Sequence, residues 1–356
     1  MSSEDHDAFV EQTLSAYRQD ESPDESLVLA DYFSERGDLR HAASALDRAY
    51  GLNPFDQGVV ERRQSVLDKL AVIENGILFR YVPAGTFLMG SETGDHDEKP
   101  IHPVRLSEFW VSETTVTWAT YCDVCKTKMP PEYGSPDGLV GYSERLTHSV
   151  SWGWMEQELE EKEPARFERE VIQAQLPYQC TIVAKKFPKR ELRFDTRPMV
   201  AVTEKQIKQF CMLGSSKEIN YNLPTEQQWE RAARGGKIQQ NYPWGDAPPN
   251  KFNCDFDNFD AAEIQASKSL PPNGYGLYAM SGGVWEWTQS RYDSQSYESK
   301  SPGGRKKRGD QLFRGGSWAD CAEAVTVSFR NSATTQDNTG QSRSPTFGFR
   351  VFRTLK

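Results

Sequence analysis

Metal or redox chemistry in this chain would be carried by its six cysteines and five histidines. The cysteines are scattered over the chain, at Cys122, Cys125, Cys180, Cys211, Cys254 and Cys321. Small disulfide-stapled secreted domains do not show this distribution, so reduced thiols and a cytoplasmic location are predicted. The histidines are His6, His41, His96, His102 and His148. No two of them have the spacing of a helical metal site.

The overall composition indicates a soluble globular protein with an acidic balance. Of the 356 residues, 37% are hydrophobic and 26% are charged, and the net charge is −9. No run is long enough to span a membrane, and the acidic N-terminus lacks the basic and apolar pattern of a secretion signal. The negative charge disfavours a general attraction to nucleic acid, so another protein is the predicted partner.

Two basic clusters are local exceptions to this charge, residues 185–190 with Arg193 and residues 305–308. Neither cluster lies in a recognisable nucleic-acid-binding module, and Phe187 is the only aromatic residue within them. We interpret both as solvated loops or contacts with an acidic partner, which makes nucleic acid the less favoured ligand.

The N-terminal part of the chain divides into an acidic tail or short helix at 1–22 and a helical segment at 23–73. Small and apolar residues from Leu29 to Ala49, with Gly37 at a turn and Pro54 after the second helix, resemble a tetratricopeptide hairpin. A single repeat cannot bury its own apolar face. The segment is therefore either a helical extension docked on the rest of the protein or a detachable peptide-binding module. The short linker at 71–75, without a flexible run, favours docking.

From residue 74 to residue 356 the sequence predicts one α+β domain dominated by loops. Short β-type runs at 77–82 and 85–90 are separated by proline and glycine, and the remainder is rich in Gly, Trp, Asn and Pro. A stretch at about 126–197 alternates loops with helix-like runs, and we interpret it as an insertion.

Several motifs of this domain fall in the order of one known family. They include Asn-Leu-Pro-Thr-Glu-Gln-Gln-Trp-Glu-Arg-Ala at 222–232, Gly-Val-Trp-Glu-Trp-Thr at 283–288 and Phe-Arg-Gly-Gly-Ser-Trp at 313–318. Further segments lie at 82–90, 97–104, 113–118, 242–246, 271–278 and 348–351. The chain thereby resembles the formylglycine-generating enzyme or sulfatase-modifying factor family. The resemblance implies a C-type-lectin-like fold preceded by an α-helical hairpin.

The resemblance also implies where catalytic residues would be found. Enzymes of this family bind copper through cysteines three and eight positions after the serine of the Gly-Gly-Ser motif. Counted from Ser317, these positions hold Asp320 and Val325, which offer no thiolate for copper(I). Cys321 lies one place away, but no second cysteine follows it. The chain is therefore predicted not to be an enzyme, and the alternative is a metal-dependent oxidoreductase of the formylglycine-generating or sulfoxide-synthase type.

The family resemblance further implies structural calcium, for which one ion or none is expected. A first site would use Asn253, the carbonyl of Cys254 and Asp257 or Asp260, all hard oxygen ligands. A second site matches the family at Gly282, Val284 and Glu286. Its usual oxygen-bearing positions are occupied by Ala279 and Gly283, which weakens it.

These observations predict a non-catalytic protein-binding scaffold or regulatory accessory protein. The resemblance extends to components of bacterial regulatory or defence operons, for example CRISPR-associated ones. The segment from Trp318 to Thr346 is polar, a composition suited to partner contacts. Candidate contact residues are Trp318, Asp320, Arg330 and Asn331. The partner is expected to contact both the helical segment and the lectin-like domain.

Overall fold

The computed structural model describes residues 22–126, 196–200, 202–258, 265–297, 310–333 and 346–355. Nearly all of the predicted tail and insertion, Asp260 and both basic clusters lie outside these residues. No helix in the described ranges is long and apolar enough to cross a membrane. The five cysteines within them are free thiols.

Three helices form the N-terminal segment: α1 (Pro23–Glu35), α2 (Leu39–Leu52) and α3 (Gln57–Leu70). Each begins at a polar side chain that accepts a hydrogen bond from the first turn: Ser22, Asp38 and Asp56. Between α1 and α2, Gly37 has a φ of 73°, which glycine adopts without steric cost. The helical hairpin predicted from the spacing of small residues is confirmed.

Strands follow at once, and they form three sheets. The five-stranded sheet has the order β1 (Val72–Glu74), β2 (Ile77–Val82), β5 (Phe109–Ser112), β11 (Phe352–Leu355) and β6 (Ile219–Asn222). Its pairs are antiparallel, and β11 joins the last residues to strands near the start of the domain. The four-stranded sheet has the order β10 (Phe347–Gly348), β7 (Trp285–Arg291), β8 (Gln311–Arg314) and β9 (Asn331–Ala333). Strands β3 (Gly85–Met89) and β4 (His102–Leu106) form the third sheet.

Three further helices in the described ranges pack on these sheets: α4 (Trp118–Cys125), α5 (Glu204–Gly214) and α6 (Glu226–Arg234). Helix α6 begins with a capping box between Thr225 and Gln228. Trp229 on this helix is completely buried. The mixture of helices and curled sheets confirms the predicted α+β class.

A set of buried salt bridges, here called the buried ion-pair network, joins α6 to the strands around it. Glu230 accepts hydrogen bonds from Arg234 at 2.6 Å and from Arg314, and all three side chains are at most 4% exposed. Glu226 pairs with Arg330 at 2.6 Å. The pairs with Arg314 and Arg330 connect chain segments that are far apart in sequence. Removing one partner of any pair would leave a buried charge uncompensated.

The N-terminal helices are docked on the domain. Ala42 and Val66 belong to the same hydrophobic core as Phe79 of β2. Arg63 on α3 is 2% exposed and donates hydrogen bonds to the carbonyl oxygens of Gly274 at 2.5 Å and Gly235 at 3.2 Å. The apolar face of the hairpin is thereby covered by the domain, as the short linker predicts.

Candidate functional site

Three loops that carry most of the predicted site residues converge in the structure. The backbone N–H of Asp257 donates to the carbonyl of Asp320 at 2.9 Å. The N–H of Gly283 donates to the carbonyl of Asp255 at 2.8 Å, and the N–H of Trp318 donates to the carbonyl of Gly283 at 2.9 Å. The first and second predicted calcium loops and the Gly-Gly-Ser-Trp segment thus form one connected region.

The two positions of the family's copper ligands, with Ser317, are here called the substituted site. Asp320 accepts hydrogen bonds from the backbone N–H of Ser317 at 2.9 Å and from its hydroxyl group. Val325 is completely buried. A Cβ atom at Gly316 would lie 2.5 Å from a methyl carbon of Val325, so this valine packs directly on the glycine backbone. One position caps a turn, and the other fills the core.

Two thiols lie near the substituted site, and they differ in exposure. Cys321 is exposed. Cys254 is buried, and its thiol donates to the carbonyl of Ser281 at 3.4 Å. Burial raises the pKa of Cys254 far above that of a free thiol. This shift disfavours the thiolate that a soft metal ion requires.

At the first predicted calcium site the structure adds one residue that the sequence analysis missed. Asp255 is 5% exposed, and its carboxylate accepts hydrogen bonds from the amide of Asn258 at 2.8 Å and from the N–H of Gln265 at 3.4 Å. Within the described part of the chain no basic side chain pairs with it, and burial raises its pKa. Such a carboxylate is a hard oxygen donor without a counter-ion. The sequence could have indicated Asp255 as a ligand, because it directly follows Cys254, whose carbonyl was already a predicted ligand.

Among the remaining predicted ligands of the first site, one already accepts a hydrogen bond within the protein. The side-chain oxygen of Asn253 accepts a hydrogen bond from the N–H of Asn250 at 2.7 Å. Asp257 is exposed and has a φ of 45°. Asp260 lies outside the described residues.

Glu286, predicted as a ligand of the second calcium site, has partners within the protein. Its carboxylate is 1% exposed and is bound by Arg350 at 2.9 Å and by the indole N–H of Trp229 at 2.7 Å. Both carboxylate oxygens therefore already have donors. Of its two predicted co-ligands, the carbonyl of Gly282 accepts from the N–H of Val284 at 3.0 Å, and Val284 is 2% exposed.

Two of the predicted partner contacts are also corrected by burial. Trp318 is 2% exposed and Arg330 is 6% exposed, so neither side chain presents a surface to another protein. The Arg330 guanidinium also donates to the carbonyl of Asp97 at 2.8 Å. Asn331 and Asp320 are half-buried, and Asn331 pairs with Phe313 in the four-stranded sheet.

An acidic cluster that the sequence analysis did not identify lies at Asp95, Asp97 and Glu98, with possible ligand oxygens within 4.8 Å of one another. It is compatible with a calcium ion. Asp97 also accepts from the hydroxyl of Tyr292 at 2.8 Å, and burial raises the pKa of Glu98. The sequence could have indicated this cluster, because the three acids lie close together in it.

A groove of about 780 Å³ lies where the end of α2 faces the loop that contains Trp244. Phe55 lines this junction groove and is 92% exposed. Trp244 lines its other side and stacks on Tyr242, with ring centroids 5.0 Å apart. Both the helical segment and the domain therefore contribute aromatic surface to it.

Comparison with known proteins identifies the domain. The family described as sulfatase-modifying factor enzyme 1-like domain matches residues 77–355. The chain is 29% identical over 286 residues to inactive C-alpha-formylglycine-generating enzyme 2 of Bos taurus, covering 76% of this chain and 85% of that protein. It is 27% identical over 297 residues to formylglycine-generating enzyme of Thermomonospora curvata, covering 76% and 91%. The solved structure of PvdO from Pseudomonas aeruginosa shares the fold, with a TM-score of 0.54 at 18% identity, covering 80% and 98%.

Proposed function

Because the chain belongs to the family of sulfatase-modifying factor enzyme 1-like domains, we propose that it is a non-catalytic member that acts as a protein-binding scaffold. Relatives of this chain include both a formylglycine-generating enzyme and an inactive one. The observation that carries the proposal is the substituted site. There Asp320 caps a turn and Val325 fills the core, so two thiolates cannot meet on a copper ion.

The binding surface that we propose is the junction groove. An aromatic side chain that is almost fully exposed beside a groove supports a role as a binding anchor, since such residues dominate interface energetics. Phe55 comes from the helical segment and Trp244 from the domain. A peptide segment with an apolar side chain would contact both halves at once, as the sequence analysis expects of the partner.

Photo-crosslinking from position 55 of the full-length protein, in cells of its source, tests this proposal. We expect one partner to be captured, and Trp244→Ala in the same protein to abolish its capture. A crosslinker at position 252 provides the matched control, because Phe252 is 72% exposed but does not line the groove. Equal capture from both positions, or capture that survives Trp244→Ala, would contradict the groove.

The alternative, a metal-dependent oxidoreductase, is tested separately by elemental analysis of the purified protein. A scaffold should contain neither copper nor iron in stoichiometric amounts. Stoichiometric copper or iron, together with oxygen consumption in the presence of a thiol peptide, would show that the protein is an enzyme and contradict the scaffold proposal.

We also propose one structural calcium ion at the first predicted site, with Asp255 as its charged ligand beside the Cys254 carbonyl. The support is the buried carboxylate of Asp255, which has no basic partner in the described ranges. A divalent cation would offset the cost of burying this charge. A cytoplasmic location and a place in a bacterial regulatory or defence operon stay predictions.

A further inference from the structure

A separate cavity of about 360 Å³ lies between the N-terminal helices and the domain. It is bounded by α1 and α2 on one side, and by β3 and the C-terminal end of α6 on the other. We call it the arginine cavity. It exists only because the helical segment is docked on the domain.

The residues that line the arginine cavity are unequal in charge. Among the described lining residues, Arg231, Arg234 and Lys237 are basic and Asp47 is the only carboxylate. Arg234 is neutralised by Glu230 of the buried ion-pair network. The cavity therefore carries an excess of positive charge.

The carboxylate of Asp47 already accepts hydrogen bonds within the protein. One of its oxygens accepts from Arg63 at 2.6 Å, and the other accepts from the hydroxyl of Tyr275 at 2.9 Å. Arg231 lies 3.4 Å from this second oxygen. Since Arg63 is 2% and Arg231 is 4% exposed, two buried guanidinium groups depend on one carboxylate. Uncompensated charge of this kind is costly in a protein interior.

Arg231 also has a donor without an acceptor among the described residues. One terminal nitrogen donates to the carbonyl of Pro83 at 2.7 Å, while Nε is buried without an acceptor in the described part of the chain. Lys237 also lines the cavity, and its ammonium group donates to the backbone carbonyls of Trp244 at 3.0 Å and Pro243 at 3.4 Å. Burial and the charge of Arg63 lower the pKa of Lys237, as expected where positive charges are crowded.

We propose that the arginine cavity binds a small anionic metabolite through a phosphate or carboxylate group, held by Arg231 and Lys237. Guanidinium groups bind both anions by paired hydrogen bonds, so the two classes share one recognition chemistry. The volume limits the ligand to a small molecule. Because the ligand would lie between the helices and the domain, its binding would stabilise their docking.

Calorimetric titration and thermal unfolding of the full-length protein with inorganic phosphate, malonate and sodium chloride at matched ionic strength test this proposal. Phosphate or malonate should bind saturably and raise the melting temperature, whereas chloride should not. The anion that binds more tightly identifies the chemical class. If neither exceeds the effect of chloride, the proposal is overturned.

Three variants test whether the anion binds in this cavity. Lys237→Gln should weaken the affinity about tenfold, the effect of losing one charge-assisted contact. Lys205→Gln makes the same charge change at an exposed position on α5 and should leave the affinity unchanged. Arg231→Met should abolish binding, and if this variant does not fold, the pair of lysine variants decides. Unchanged affinity in Lys237→Gln would place the anion elsewhere and overturn the proposal.

Discussion

The buried ion-pair network and the substituted site use the same kinds of side chains for different purposes. In the network Glu230 is completely buried and is bound by two arginines, of which Arg314 links α6 to β8. In the substituted site Asp320 is half-buried, and its carboxylate accepts hydrogen bonds from Ser317 within its own turn. Stability therefore depends on residues that the family's chemistry does not use. This separation allows a family member to lose its copper ligands and to keep its fold.

The largest expected loss of stability follows a substitution in the buried ion-pair network. Glu230→Gln leaves Arg234 and Arg314 without a negative charge in the core, and should lower the free energy of unfolding by about 3–5 kcal/mol. Asp320→Asn, the matched change in the substituted site, should cost about 1 kcal/mol or less, because it weakens hydrogen bonds within one turn. Urea denaturation of both variants measures the difference. Equal losses would show that the two regions are not separable.

The next effect concerns the junction between the helices and the domain. Arg63→Met removes hydrogen bonds to Asp47, Gly274 and Gly235 and should cost about 2–3 kcal/mol. The loss is smaller than in Glu230→Gln because Asp47 keeps Tyr275 and Arg231 as donors. Limited proteolysis should then cleave near residues 70–76 first. Arg62→Met, at an exposed pair with Asp31, is the control and should leave this cleavage slow.

A smaller effect tests the proposed calcium ion. If the protein holds calcium at about ten times the dissociation constant, chelation should lower stability by about 1.4 kcal/mol, seen as a lower melting temperature. Asp255→Asn should remove this response, because a neutral amide is a weaker ligand than a carboxylate. If chelation still lowers the melting temperature of Asp255→Asn, the ion binds at another site, such as Asp95, Asp97 and Glu98. If chelation does not change the melting temperature of the unmodified protein, the proposal of a structural calcium ion is wrong.

The smallest effect is expected at the start of α2. A hydrogen bond from the side chain of His41 holds the pKa of Asp38 below its usual value. A lowered pKa in the folded state means that the stabilisation is present above the unfolded pKa of about 3.9 and is lost as the pH falls through the folded pKa. Asp38→Asn should therefore lower the melting temperature slightly at neutral pH and not at all in strong acid. A difference independent of pH would contradict this assignment.

Much of the fold could be predicted from the sequence because its signals are local. Ser22, Gly37 and Thr225 mark helix ends through hydrogen bonds and backbone angles that involve only neighbouring residues. The order of the Gly- and Trp-rich motifs identified the family. The prediction that the copper ligands are replaced also needs only the sequence, since it depends on which residues follow Ser317.

Burial and pairing were decided by the tertiary structure alone. The polar composition after Trp318 suggested a surface loop, yet Trp318 and Arg330 are buried, and Arg330 pairs with Glu226, 104 positions earlier in the chain. The arginine cavity likewise brings Asp47 to Arg231, 184 positions apart. Local sequence determines the conformation of a segment, but the electrostatic cost of a buried charge depends on the groups around it. Those groups come from distant segments, so only the folded chain determines which charges are compensated and which remain available to a ligand.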